Sequence, residues 1–191
     1  MMIAPLLEPT TLSLVFVYGT LKRGFGNHHI MAPVPPPSSS LSPPSSSFVS
    51  VARTVDKYPL FTDHYKIPYL LSIPGEGGTI RGELWSVDGP TLEKLDVLEG
   101  VASGRYVRTE IAVTEERDPS ERDPSPPSSP PLEPPARSSA WLYSLPGERR
   151  EEVELERRRL VEEYTMEEHR GFVKPGEGRD ATRRREWGGY E

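Results

Sequence analysis

A short apolar run, LSLVFVY at residues 12–18, breaks off at Gly19 into the polar stretch GTLKRG. A strand that ends in Gly-Thr-Leu leaves several backbone N–H groups without ladder partners, close together on an accessible edge. Such groups can hold an anion or stabilise a developing oxyanion. Taken alone, the motif fits a strand-terminating turn better than an anion site. A second candidate is Glu99, in LDVLEG at residues 95–100. Leu92, Leu95 and Leu98 fall on one face of a short helix, and Glu99 lies at the edge of that stripe. A carboxyl group partly buried there would have a raised pKa and could exchange protons near neutrality. The competing reading is a solvated glutamate at a helix C-terminus, where the dipole disfavours its charge. The residues alone do not separate the two.

Other chemistry finds little support. The sequence contains no Walker loop, GxSxG, HExxH or strand-following GxGxxG. Cys is 0, which removes disulfides, thiolate metal sites, cysteine nucleophiles and redox relays. His28, His29, His64 and His169 show no metal-ligand spacing backed by a third ligand, so no metal is expected. PGEGG at residues 74–78 reads as a hairpin turn, and GEGR at residues 176–179 lies in the tail; neither opens a helix after a strand.

The elements that must position these residues are mostly strands. Residues 12–18 form a buried strand; residues 79–88 (TIRGELWSVD) and 106–114 (YVRTEIAVT) alternate apolar and polar positions, and AWLYSL at residues 140–145 is another strand. Residues 90–98 form a short helix with Pro90 in its first turn. Residues 148–170, rich in Glu and Arg, carry Val153, Leu160, Val161 and Tyr164 at roughly helical spacing and predict a solvated amphipathic helix. Strands in mixed order, widely separated, predict a small barrel-like α+β domain rather than a doubly wound sheet.

Composition sets the remaining bounds. The 191 residues are 35% hydrophobic with 22 prolines, most of them in two segments. Residues 33–47 are all Pro or Ser except Val34 and Leu41, and residues 117–139 contain most of a tandem ERDPS repeat followed by PPSSPPLEPPARSS. Such segments bury too little apolar surface to offset ordering and are expected to be disordered loop insertions, with recognition by an SH3 or WW domain as the functional alternative. The reading is one domain over residues 12–170, interrupted by insertions 33–47 and 117–139, with residues 171–191 a flexible tail. A net charge of −6 argues against a general nucleic-acid binder. Without an apolar run of membrane-spanning length or a recognisable leader, a cytosolic protein with no membrane partner is expected.

The run LVFVYGTLKRGFGNHHIM at residues 14–31 resembles the opening of the γ-glutamylamine cyclotransferases, within the γ-glutamylcyclotransferase-like (AIG2-like) superfamily. The resemblance continues through YPLF (58–61), IPYLLSIPGEGGTIRGELWSVD (67–88), LDVLEG (95–100), RYVRTEIAV (105–113) and AWLYSL (140–145). It implies a small β-barrel flanked by short helices, and a reaction in which a γ-glutamyl α-amine attacks its own γ-carbonyl to give 5-oxoproline and a free amine. Tyr18, Gly19, Thr20 and Leu21 match the substrate-binding loop of that family, and Glu99 matches its catalytic glutamate. No metal or organic cofactor is implied, and the partner is a small γ-glutamyl molecule. The same ring closure on γ-glutamyl amino acids, or a non-catalytic binding module of the same fold, are the rival readings.

Overall fold

The computed structural model describes residues 11–31, 45–116 and 136–172. Its elements are β1 (Ser13–Val17), β2 (Ser46–Tyr58), β3 (Leu60–Thr62), β4 (Pro68–Leu70), β5 (Gly78–Val87), α1 (Gly89–Glu99), β6 (Val107–Glu115), β7 (Arg137–Ser144) and α2 (Met166–His169), with short 3-10 turns between them. Five strands close a barrel in the order β1-β5-β2-β6-β7, and β3 and β4 form a separate hairpin. Four of the barrel pairings are antiparallel and β7 returns to β1 in parallel, Val15 opposite Trp141. A ring of five strands cannot alternate direction all the way round, so one parallel seam is a geometric necessity. The expected mixed α+β barrel is therefore what the chain adopts.

Strand alternation divides the apolar residues between two clusters. Phe16, Ala52, Ile80, Leu84, Ile111, Val113, Ala140 and Leu142 come from all five strands and fill the barrel. The alternate residues Val15, Val17, Trp85, Val87 and Tyr143 lie on the outer face of β1, β5 and β7 and pack with Leu95 of α1. That helix starts where Asp88 Oδ1 accepts a hydrogen bond from the Thr91 N–H at 2.9 Å, with Pro90 in the first turn. Leu95 is fully buried, worth about 2 kcal/mol, and Leu92 and Leu98 pack partly buried beside it. α1 ends at Gly100, whose φ of 67° is one that a glycine adopts without strain.

Several expectations need correction. The strand β2 was not foreseen, and it takes in Ser46 and Ser47, assigned above to the first insertion. Likewise β7 begins at Arg137, inside the second. The rest of those insertions, residues 33–44 and 117–135, and residues 173–191 of the tail lie outside the described residues. PGEGG links β4 to β5, which pair with other strands, so it is a turn but not a hairpin. Residues 148–170 are not one helix: two 3-10 turns (Gly147–Arg150 and Leu155–Arg157) lead to the single-turn α2. Local pairs such as Arg149–Glu152 and Arg157–Glu154 do form, but several side chains of the segment are drawn to the rest of the chain. Val153 and Tyr164 are buried, Val161 bridges Leu60, and Arg150 pairs with Glu76 while Glu163 pairs with Arg81. Glu154, at φ 49°, breaks the helical path. No described helix is long and apolar enough to cross a membrane.

Candidate active site

The loop after β1 is pinned from several sides. Gly19 lies so close to β4 that a Cβ there would come within 2.8 Å of Pro68 Cγ, which explains the residue type. The Thr20 carbonyl accepts from the Asn27 N–H at 3.0 Å, while Asn27 Nδ2 donates to Thr20 Oγ1 at 3.0 Å. The Lys22 N–H donates to the Gly19 carbonyl at 3.1 Å, so the chain turns tightly there. Beyond the turn, the nearly buried Glu83 of β5 accepts from the Arg23 backbone N–H at 3.1 Å, from Arg23 Nε at 3.0 Å and from Trp85 Nε1 at 3.0 Å. These bonds fix the loop before any ligand arrives.

Opposite this loop, the end of α1 is clamped onto β6 and β7. Asp96 accepts from the Tyr143 hydroxyl at 2.7 Å and from Arg108 Nη1 at 2.6 Å, and Arg105 Nη2 donates to the Leu98 carbonyl at 2.7 Å. The last two contacts place cations at the helix end, where the dipole favours them. The clamp holds Glu99, the final residue of the helix, in place.

Tyr18, Gly19, Thr20, Leu21 and Glu99 all line one cavity of about 450 Å³, together with Asn27, Tyr69, Arg105, Tyr106, Tyr143 and Phe172. The structure thus brings together every site residue named from the sequence. The Glu99 carboxyl is pushed up to about 7, chiefly because burial removes water from it, with the Arg105 charge partly opposing the shift. A small part of its surface still opens to the cavity, so the group is enclosed by protein yet reachable by a ligand. The Tyr18 hydroxyl is driven well above its ordinary range, first by burial and then by the Glu99 charge, and stays protonated as a donor. A protonatable carboxyl beside a pre-formed loop is equipped to move a proton between two nitrogens of a bound molecule.

Sequence reasoning did not reach the aromatic wall of Tyr69, Tyr143 and Phe172, nor Arg105. Tyr143 was legible as a strand residue, but only the register of β7 shows which way it faces. Among the described residues, no group of three or more His, Cys, Asp and Glu is arranged to hold a metal.

A family described as "Gamma-glutamyl cyclotransferase, AIG2-like" matches residues 15–165, which include both the loop and Glu99. The chain belongs to this family. Among AIG2-like cyclotransferase relatives, an Arabidopsis thaliana protein provisionally named a gamma-glutamylcyclotransferase is 40% identical over 173 residues, 88% of this chain and 85% of that one. The human gamma-glutamylaminecyclotransferase is 36% identical over 121 residues, 62% of this chain and 74% of its own. The crystal structure of a mouse AIG2-like protein superposes with a TM-score of 0.64 at 28% identity, covering 88% of this chain and 99% of that chain.

Proposed function

We propose that the chain is a γ-glutamylamine cyclotransferase that converts γ-glutamyl amines such as ε-(γ-glutamyl)lysine to 5-oxoproline and the free amine. In the step envisaged, the α-amine nitrogen bonds to the γ-carbonyl carbon of the same molecule and the amide C–N bond breaks. No water or cofactor enters the balance. Glu99, ionised, takes a proton from the attacking amine and returns it to the departing nitrogen. Tyr18, Gly19, Thr20 and Leu21 hold the substrate, and N–H groups of residues 19–21 stabilise the oxyanion, a contribution of about a hundred-fold or more. Because the nucleophile belongs to the substrate, the site's task is to hold the amine near the carbonyl carbon and to move the proton.

The observation that carries this reading is the Glu99 carboxyl, desolvated to a pKa of about 7 inside the cavity that the loop also lines. A carboxyl with its pKa near the working pH is both a competent base and a competent acid. The human relative's name supports the amine substrate. The Arabidopsis relative's name favours a second reading, the same closure on γ-glutamyl amino acids. Incubating the purified protein with ε-(γ-glutamyl)lysine and with a panel of γ-glutamyl amino acids tests both. Release of 5-oxoproline and lysine in equal amounts, faster than from the panel, is the expected result. No 5-oxoproline from any of them would end the proposal.

A further inference from the structure

We propose that Arg105 binds the α-carboxylate of the γ-glutamyl group and so selects carboxylated donors. The assignment rests on the cyclisation reading above and extends it to a residue that neither the loop motif nor the LDVLEG motif contains.

Arg105 is the one basic side chain among the described residues that line the cavity. It follows α1 after a single 3-10 turn (Val101–Ser103) and precedes β6, so its backbone is anchored at both ends. Its N–H donates to the Gly100 carbonyl at 3.1 Å, and its Nη2 donates to the Leu98 carbonyl at 2.7 Å. That second bond occupies one of the guanidinium's five N–H donors and fixes the plane of the group next to Glu99. The neighbouring Tyr106 ring lies 5.6 Å from the guanidinium carbon and adds a further side to the setting.

The charges match the substrate end that must react. A γ-glutamyl group carries its α-ammonium and α-carboxylate on the same carbon. Glu99 has to face the ammonium to remove its proton, so the carboxylate necessarily falls within a bond or two of the same place. An anion and a cation side by side, Glu99 and Arg105, complement that zwitterion group for group. In a cavity otherwise lined by aromatic and neutral residues, a carboxylate entering without a cation would lose its hydration uncompensated. Arginine suits the task because its planar fork meets both carboxylate oxygens.

The test compares a γ-glutamyl amine with the matching N-substituted 4-aminobutanamide, which lacks the α-carboxylate and cyclises to 2-pyrrolidinone. Rates are taken above pH 8, where Glu99 is ionised in the wild type, with the pH–rate curve of each variant recorded to confirm saturation. Wild type should favour the carboxylated donor, and Arg105→Gln should shrink that preference about 10- to 100-fold, the worth of a hydrogen bond to a charged group, mostly through KM. Arg105→Lys should restore part of it. Loss of the same size on both substrates would overturn the assignment and leave cyclisation standing. A parallel calorimetric titration with 5-oxoproline and 2-pyrrolidinone needs no turnover. If the wild type cyclises nothing, the cyclisation reading falls. Arg105 then keeps its role if 5-oxoproline binds in preference to 2-pyrrolidinone and Arg105→Gln abolishes the preference, and loses it if no such preference exists.

Discussion

Glu99 and Glu116 are the same residue type in opposite circumstances. Glu116 lies beyond β6 and receives two arginines, Arg53 Nε and Arg81 Nε each at 2.8 Å. Arg81 reaches on to Glu163 at 3.1 Å, and Lys22, nearly buried, meets Glu163 at 3.4 Å. Within this cluster charge answers charge, and the Glu116 hydrogen bond is the main reason that Arg81 holds its proton more tightly than usual. For the Glu99 carboxyl, desolvation dominates and the Arg105 charge offsets only part of it. Paired carboxylates fasten the 158–163 segment and the loop to the barrel, whereas Glu99, governed mainly by desolvation, keeps a proton that it can give up. The fold places its ion pairs where geometry must be held and leaves one group under strain where chemistry is proposed.

Removing the titrating proton is the largest perturbation of that contrast. Glu99→Gln keeps the shape and should lower kcat about a hundred- to ten-thousand-fold, with KM far less affected. Steady-state kinetics on a γ-glutamyl amine checks this, and a rate near wild type would remove Glu99 from the mechanism.

The same substitution should act on stability with a defined sign. The folded-state pKa of about 7 lies above the reference value of 4.5, so the folded protein binds more protons than the unfolded chain between those limits. The associated stability is fully present below pH 4.5 and is lost as pH rises through 7. Glu99→Gln escapes this loss. In urea melts the variant should exceed wild type by up to about 3 kcal/mol at pH 8, the gap closing toward pH 4.5. A pH-independent gap would mean that burial does not govern Glu99.

Glu83 belongs on the paired side of the comparison. Glu83→Ala strands the donors of Arg23 and Trp85, and should cost about 2 kcal/mol while raising KM through a loosened loop. Unchanged KM with lost stability would show that the loop is held by Asn27 alone. Arg81→Gln, in a network about one-third exposed, should cost about 1 kcal/mol or less, diminish with salt, and leave kcat unchanged. Glu93→Gln is the control: Glu93 is exposed on α1, and neither turnover nor melting should move.

Much of this arrangement was legible in the sequence, for identifiable reasons. The runs that became β1, β5, β6 and β7 keep a clean period of two or a continuous apolar stretch, and the leucine stripe of α1 correctly put Glu99 at its edge. The strand β2 escaped because its register shifts between Phe48 and Ser50 and again between Arg53 and Lys57, which breaks the alternation. Thr54 disguises it further. Its hydroxyl is buried because it donates to the Asp56 carbonyl at 2.6 Å and accepts from the Ile80 N–H at 2.9 Å, a pattern with no hydrophobic signature. Residues 148–170 misled in the other direction: some of the charges spaced for a helix pair outside the segment, Arg150 with Glu76 and Glu163 with Arg81, and Glu154 at φ 49° breaks the helical path. The site loop and Glu99 stood out as local motifs, but only the family resemblance chose their functional reading, while Arg105 and Phe172 reach the cavity only through tertiary placement.

Enclosure by the cavity, and not contact with another ion, sets the Glu99 proton near neutrality. A ¹³C NMR titration of the Glu99 side-chain carboxyl in the ligand-free protein, assigned against Glu99→Gln, measures this directly. A midpoint near pH 7 is expected; a midpoint near 4.5, the value of a solvated glutamate, would mean that the cavity does not desolvate the carboxyl.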